Sequence, residues 1–247
     1  MDKHPVANHI QSHRSTRKFK NTRIPEEIIK EIITSAQWAP TSHNVQAYSI
    51  ISITDQTLRV ELAHLCGDQK YVKEAPAFFV FTADFYPHSL ISRRLEVPFE
   101  MEETENVIVG AVDTALAAQN ALLTARAYGL GGVMIGGIRN HSEKVAKLLK
   151  LPEWTFPVMG LCLGYPASIT DQKPRFPLYG VLHENHYDAN DIEKAIVEYD
   201  ERTLHYYSNR KPNPKQSGWS SQMAAYLSTP RRPGVTAFLK KQGFKMK

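Results

Sequence analysis

His13, Arg14, Ser15, Thr16 and Arg17 stand in one run, and Lys173-Pro174-Arg175 repeats their chemistry far downstream. Arg and Lys bring full positive charge and serine a compact hydroxyl donor, the set that a phosphate dianion needs. Only the fold can join two clusters so distant in sequence. They predict two halves of one cofactor-phosphate clamp. Basic runs are also commonly solvated faces, and Lys18, Lys20 and Arg23 prolong the first. Pro174 stiffens the second, which suits a pre-organised contact.

A second group of candidates is uncharged. The run Gly129-Leu130-Gly131-Gly132-Val133-Met134-Ile135-Gly136-Gly137 is not a dinucleotide fingerprint. That motif runs strand, glycines, helix, whereas here the glycines end a helix and precede a strand, and Met134 takes the third glycine position. Gly129 and Gly131 terminate a helix. Gly136 and Gly137 fall at a strand end, where bare backbone can approach a flat ligand. Thr41-Ser42-His43-Asn44 is a turn, or else a row of hydroxyls for a polyol chain. Gln69 and Tyr71 are loop residues, or else contacts for a pyrimidine-like edge, since glutamine both donates and accepts.

Other chemistries fall away. His9 and His13, and His183 and His186, lack the Cys or carboxylate partners that complete a metal site, so no metal is expected. Cys66 and Cys162 have no CxxC spacing and are better small core residues than nucleophiles. Neither a nucleophile elbow nor a P-loop occurs. Asn140-His141-Ser142 fits a glycosylation acceptor, but in a reducing setting Asn140 or Ser142 is expected to cap a helix.

The chain of 247 residues is 42% hydrophobic and 22% charged, enough for an ordinary core in one large domain or two small ones. A net charge of +5 favours anionic ligands and leaves a nucleic-acid or anion-binding module as a competing class. Two cysteines without a framework point to the cytoplasm. Residues 1–5 carry no apolar leader core. The stretch 106–129 is apolar, but Asp113, Gln119, Asn120 and Arg126 interrupt it. A buried central helix is expected rather than a membrane span, with Gly110, Ala111, Ala115, Ala117, Ala118 and Ala121 allowing close approach.

The elements that must position these residues follow from periodicity. Helices are predicted at 6–12, from Pro25 onward, at 58–65, 89–95, 106–129, 142–149, 189–207 and 236–242. Strands are predicted at 47–54, 77–82, 132–136 and 156–164. This mixed order indicates an α+β or α/β fold with helices covering a small sheet.

Beyond spacing, the chain resembles the oxygen-insensitive, FMN-dependent NADPH nitroreductase and flavin reductase family. The resemblance rests on HRSTR at 13–17, QAYSII at 46–51, GDQKYV at 67–72, GLGGVMIGGIRN at 129–140, LLKLPEWTFPVMGLCLGYPA at 148–167 and KPRFP at 173–177. YYSNR at 206–210 and KKQGF at 240–244 continue it, in matching order over nearly the whole chain. It implies a nitroreductase-like α+β fold: a mixed sheet, a long central helix, and a homodimer with FMN in clefts at the subunit interface. The chain would be a single domain over 1–247, with about 189–247 forming a helical extension that wraps the partner.

The resemblance also assigns residues. His13, Arg14, Ser15 and Arg17 would contact FMN, with Ser15, Lys173 and Arg175 at its phosphate. Thr41, Ser42 and His43 occupy the ribityl loop, Gln69 and Tyr71 the ring edge, and Ile135, Gly136 and Gly137 the backbone facing flavin N5. Arg17, Arg210 and Lys215 would bind NADPH, with Lys215 standing where the family usually carries a second arginine. NADPH, or NADH, would reduce nitroaromatics, quinones or free flavin by ping-pong two-electron transfer. Hydride passes through N5, so no catalytic side chain is implied. The partners implied are small-molecule electron acceptors and a second copy, with no nucleic acid and no membrane. A flavin-binding paralogue without turnover is the remaining alternative.

Overall fold

Strands β1 (Tyr48–Ser52), β2 (Ala77–Asp84), β3 (Gly131–Ile135) and β4 (Thr155–Gly164) form a sheet in the order β1-β2-β4-β3, and every strand pair is antiparallel. β2 and β4 are apolar on both faces because helices cover both, and they take the two central places. The edge of β3 gains the 15–19 segment. Ser15 makes a parallel bridge to Gly132 and Phe19 an antiparallel one to Pro166, which gives the sheet its mixed character. The computed structural model describes residues 3–211 and 213–247. Met1, Asp2 and Pro212 lie outside them, so the expectation about a leader at residues 1–5 falls partly outside the described residues.

Helices α1 (Pro5–Gln11), α2 (Glu26–Gln37), α3 (Gln56–Leu65), α4 (Lys70–Glu74), α5 (Tyr86–Leu95), α6 (Thr104–Ala127) and α7 (Ser142–Leu148) follow the order expected, apart from α4, which the sequence does not predict. Local chemistry explains their starts. Glu26 and Glu27 lie in the first turn of α2 just past Pro25, and the Asp55 carboxylate accepts the Leu58 N–H at 2.7 Å to cap α3. The cap expected for α7 is absent. The helix starts after His141 without a side-chain cap, because Ser142 Oγ donates to the Arg139 carbonyl at 3.2 Å and Asn140 Oδ1 accepts from Arg232 Nε at 3.0 Å.

α6 is long and apolar enough to cross a bilayer, but its small residues are spent on packing. Gly110, Ala117, Ala118, Ala121 and Ala125 are buried, and a Cβ on Gly110 would come within 2.9 Å of the Phe85 ring. The helix lies over the sheet together with α2, whose Ile32 is fully buried.

The chain falls into two compact units, residues 3–170 with Arg232–Lys247, and Asp171–Arg231. Helix α8 (Ala189–Asn209) and α9 (Trp219–Leu227) build the second unit around a ring cluster of Phe176, Tyr199 and Trp219, with centroids 5.3–5.6 Å apart. Helix α10 (Val235–Lys241) belongs to the first unit. There Trp154 N–H donates to the Gln242 carbonyl at 2.8 Å, and Phe244 is buried among Phe85, Trp154 and Phe156.

Candidate active site

Backbone pairing fixes the first cationic run. Thr16 N–H donates to the Gly132 carbonyl at 2.9 Å, Lys20 N–H to Tyr165 at 2.8 Å, and Ala167 N–H to Lys18 at 3.0 Å. The run is therefore extended against the start of β3 and the end of β4. Gly131 is required there: a Cβ would lie 2.2 Å from Thr16 Oγ1. Thr16 is buried by this contact while Arg14 and Arg17 stay exposed. Upstream, Arg126 on α6 donates to the His9 carbonyl at 2.6 Å and to Ser12 Oγ at 2.7 Å, anchoring the turn into the run.

The far end of β3 carries the second candidate group. Gly136–Arg139 turn as one 3-10 segment directly after Ile135. A Cβ on Gly137 would meet the Cys66 carbonyl at 2.5 Å, so only glycine lets these two backbones touch. That contact joins Ile135, Gly136 and Gly137 to the segment 66–71. Gln69 immediately precedes α4 without capping it, and Tyr71 lies within α4, a short helix where the sequence predicted loop. Burial pushes the Cys66 thiol up to about 12 and raises Cys162 as well, so both stay protonated core residues.

Two guanidinium groups that the sequence reading passed over flank this turn. A Cβ on Gly136 would lie 3.4 Å from Arg139 Nη2 and 3.5 Å from Arg232 Nη2. Arg139 lies two residues past the glycine run and is legible as a charge beside it. Arg232 comes from the C-terminal segment, and no local pattern marks it.

Thr41, Ser42 and His43 are not brought to that edge. Their loop leads into β1, at the same end of the sheet but on the opposite edge, roughly 14 Å away by strand spacing. The loop is strained, with His43, Asn44 and Gln46 at φ 47°, 57° and 53°. Left-handed non-glycine residues cost about 1–3 kcal/mol each, less for Asn and His. The Ser42 and Ala47 N–H groups each donate to the buried carboxylate of Asp113, both at 3.1 Å. Thr41 and Ser42 line an open cleft of about 330 Å³ with Glu105, Ile108 and Val112 of α6.

The second unit holds the remaining candidates. Arg175 Nη1 donates to the carbonyls of Lys173 and Pro174 at 3.0 and 3.3 Å, and Tyr199 OH donates to Pro174 at 3.1 Å. Burial raises the Tyr199 hydroxyl and the Arg175 charge opposes that rise. Arg210 and Lys215 meet around Tyr207. The Arg210 guanidinium sits 5.3 Å over its ring and Lys215 N–H donates to its carbonyl at 2.9 Å. Arg210 Nε is buried without a partner. Among the described residues no group of three His, Cys, Asp or Glu could hold a metal ion.

Residues 10–165 match the Nitroreductase family and 173–247 the Nitroreductase family, C-terminal domain. The chain belongs to the nitroreductase family. It is 42% identical over 240 residues to the oxygen-insensitive NADPH nitroreductase of Salmonella typhimurium, covering 97% of this chain and 98% of that one. It is 39% identical over 234 residues to the NADPH-flavin oxidoreductase of Vibrio harveyi, covering 95% of each. Among solved structures, B. megaterium NfrA1 superposes with a TM-score of 0.94 at 44% identity, over 98% of this chain and all of that one. The Vibrio harveyi NADPH:FMN oxidoreductase complexed with NAD+ gives 0.87 at 36% identity, over 98% and 99%. The nitroreductase fold thus accounts for the long central helix and the mixed sheet.

Proposed function

We propose that this nitroreductase-family chain is an FMN-dependent oxidoreductase. It uses NADPH, or NADH, to reduce nitroaromatics, quinones or free flavin by ping-pong two-electron transfer. The reading is carried by the edge of β3, where a cationic run is paired to one end of the strand and a glycine turn flanked by Arg139 and Arg232 lies at the other. The donor set fits FMN: hydroxyl and guanidinium groups for a phosphate, and a turn stripped of side chains for a planar ring. FMN, when bound, supplies the electron-carrying chemistry, so no side chain need act as acid or base.

This chain's residues bind and orient. Ser15, Lys173 and Arg175 hold the phosphate, and His13, Arg14 and Arg17 line the cofactor, with Arg17 offsetting negative charge in the site. Gln69 and Tyr71 serve the ring edge, and Ile135, Gly136 and Gly137 approach it with backbone. Arg210 and Lys215 take the 2′-phosphate of NADPH, Lys215 as a point charge rather than a fork.

The chain works as a homodimer in the cytoplasm, a single family domain over 1–247 whose extension, about 189–247, wraps the partner. The ribityl loop of one copy (Thr41, Ser42, His43) serves the cleft of the other. Two observations support this: the loop and the β3 turn lie on opposite sheet edges, and α6 leaves Ile108, Val112 and Leu116 exposed on one stripe beside the loop. Small electron acceptors enter where the nicotinamide leaves; no nucleic acid or membrane is involved.

The purified protein should show a flavin spectrum that bleaches on anaerobic addition of NADPH and recovers with a nitroaromatic. Colourless protein retained on DNA would reject the proposal. Arg17→Ala should release FMN more readily and slow turnover, and wild-type flavin content with a wild-type rate would remove Arg17 from the site.

A further inference from the structure

The loop that carries Thr41 and Ser42 is tied from outside as well as within. Three of its residues, His43, Asn44 and Gln46, are left-handed without being glycine. Its internal ties lack a charged partner: Val45 N–H donates to the Ser42 carbonyl at 2.7 Å, Tyr48 N–H to the Gln46 carbonyl at 2.8 Å, Gln46 N–H to Thr41 Oγ1 at 3.3 Å and Asn44 N–H to the Thr41 carbonyl at 3.4 Å, while Ser42 Oγ lies 3.3 Å from His43 Nδ1 and Gln46 Nε2 donates to the Asn44 carbonyl at 3.5 Å. The charged tie comes from α6. Asp113, 1% exposed, accepts Ser42 N–H on Oδ1 and Ala47 N–H on Oδ2. Its two oxygens bracket the strained run on both sides. His88 on α5 adds a third tie, its Nε2 lying 2.8 Å from the Val45 carbonyl, while its Nδ1 is buried without a partner.

We infer that Asp113 is a positioning residue for FMN: it holds the Thr41–Ser42 hydroxyls ready for the ribityl chain, so that the loop is already ordered when the cofactor arrives. The inference rests on the FMN reading above. A carboxylate suits the task because two backbone donors must be met by two acceptors of full charge. An amide of the same size meets one donor and turns its own NH₂ toward the other. Pre-ordering lowers the binding cost of the cofactor without any contact between Asp113 and FMN.

The test compares wild type with Asp113→Asn. FMN affinity of the apoprotein is read by quenching of flavin fluorescence, beside the apo melting curve. The FMN Kd of D113N should rise about tenfold, the worth of roughly one charge-assisted bond, while kcat at saturating FMN stays within about twofold. Adding Asn44→Gly should recover part of the affinity, because glycine adopts the left-handed conformation without being held there. A merely structural aspartate would not be relieved by a glycine in the loop. Should D113N not fold, His88→Leu gives the same readout with an expected loss of about threefold. Unchanged Kd in D113N, or in H88L where that variant is used, overturns the role, as does a double variant no better than D113N. Wild-type protein that binds no FMN instead ends the functional reading itself.

Discussion

The two edges of the sheet hold their parts of the site by different means. At β3, backbone meets backbone: Thr16 pairs with Gly132, and Gly137 lies flat on the Cys66 carbonyl. At β1, the loop before Tyr48 is tied by side chains, the Asp113 carboxylate and the His88 imidazole, reaching in from other helices. A backbone contact has no slack, since the chain must move for any added atom. A side-chain tie can be removed one bond at a time.

The largest effect should follow from attacking the rigid edge. Gly137→Ala places a Cβ 2.5 Å from the Cys66 carbonyl, and overpacking against backbone should cost about 3 kcal/mol. For a chain of this size that lowers Tm by about 6–12 °C in a thermal melt. A variant melting with the wild type would show that the turn yields and that the contrast between edges is false. Cys66 reports the same event chemically. With its thiol pushed up to about 12, native protein should resist iodoacetamide through pH 9, where an ordinary cysteine is largely thiolate. Rapid labelling of Gly137→Ala, but not of wild type, would locate the damage at this edge.

The loop should respond more gently. Thr41→Val removes the hydroxyl that accepts the Gln46 N–H at 3.3 Å and should cost about 1 kcal/mol, with faster amide exchange at Gln46 and none of it at Gly132. Exchange that rises at both positions would mean that the two edges are coupled. The smallest effect lies away from both. Glu102 is held down to about 2, first by its bond to Lys245 and then by that to Lys247. Because the folded value lies below the ordinary 4.5, its contribution is complete above pH 4.5 and disappears as pH falls toward 2. NMR signals of the last residues should loosen in that window in wild type, and Glu102→Gln should abolish the pH dependence.

The contrast also explains what the sequence made legible. Apolar runs and small residues foretold β2, β4 and α6 within a few residues, because a two-faced core strand and a closely packed helix each demand a composition. The glycine run and HRSTR were visible because backbone contact needs glycine and phosphate needs cations. Asp113 was not: in sequence it reads only as a polar break in an apolar helix, since its partners Ser42 and Ala47 are 71 and 66 residues away. Helix α4 was hidden because it has only five residues, and α9 because Trp219 and Tyr226 show little periodicity. Arg232 reaches Gly136 only through the return of the chain.

That return has a practical consequence. The polypeptide departs from its first unit after Thr170 and is restored to it at Arg232. From there Gln242 clasps Pro152 and Thr155, and Phe244 is sealed among aromatic rings. A protease that severed the excursion between these points would leave two pieces still clipped together, so an intact particle by size is no proof of an uncut chain.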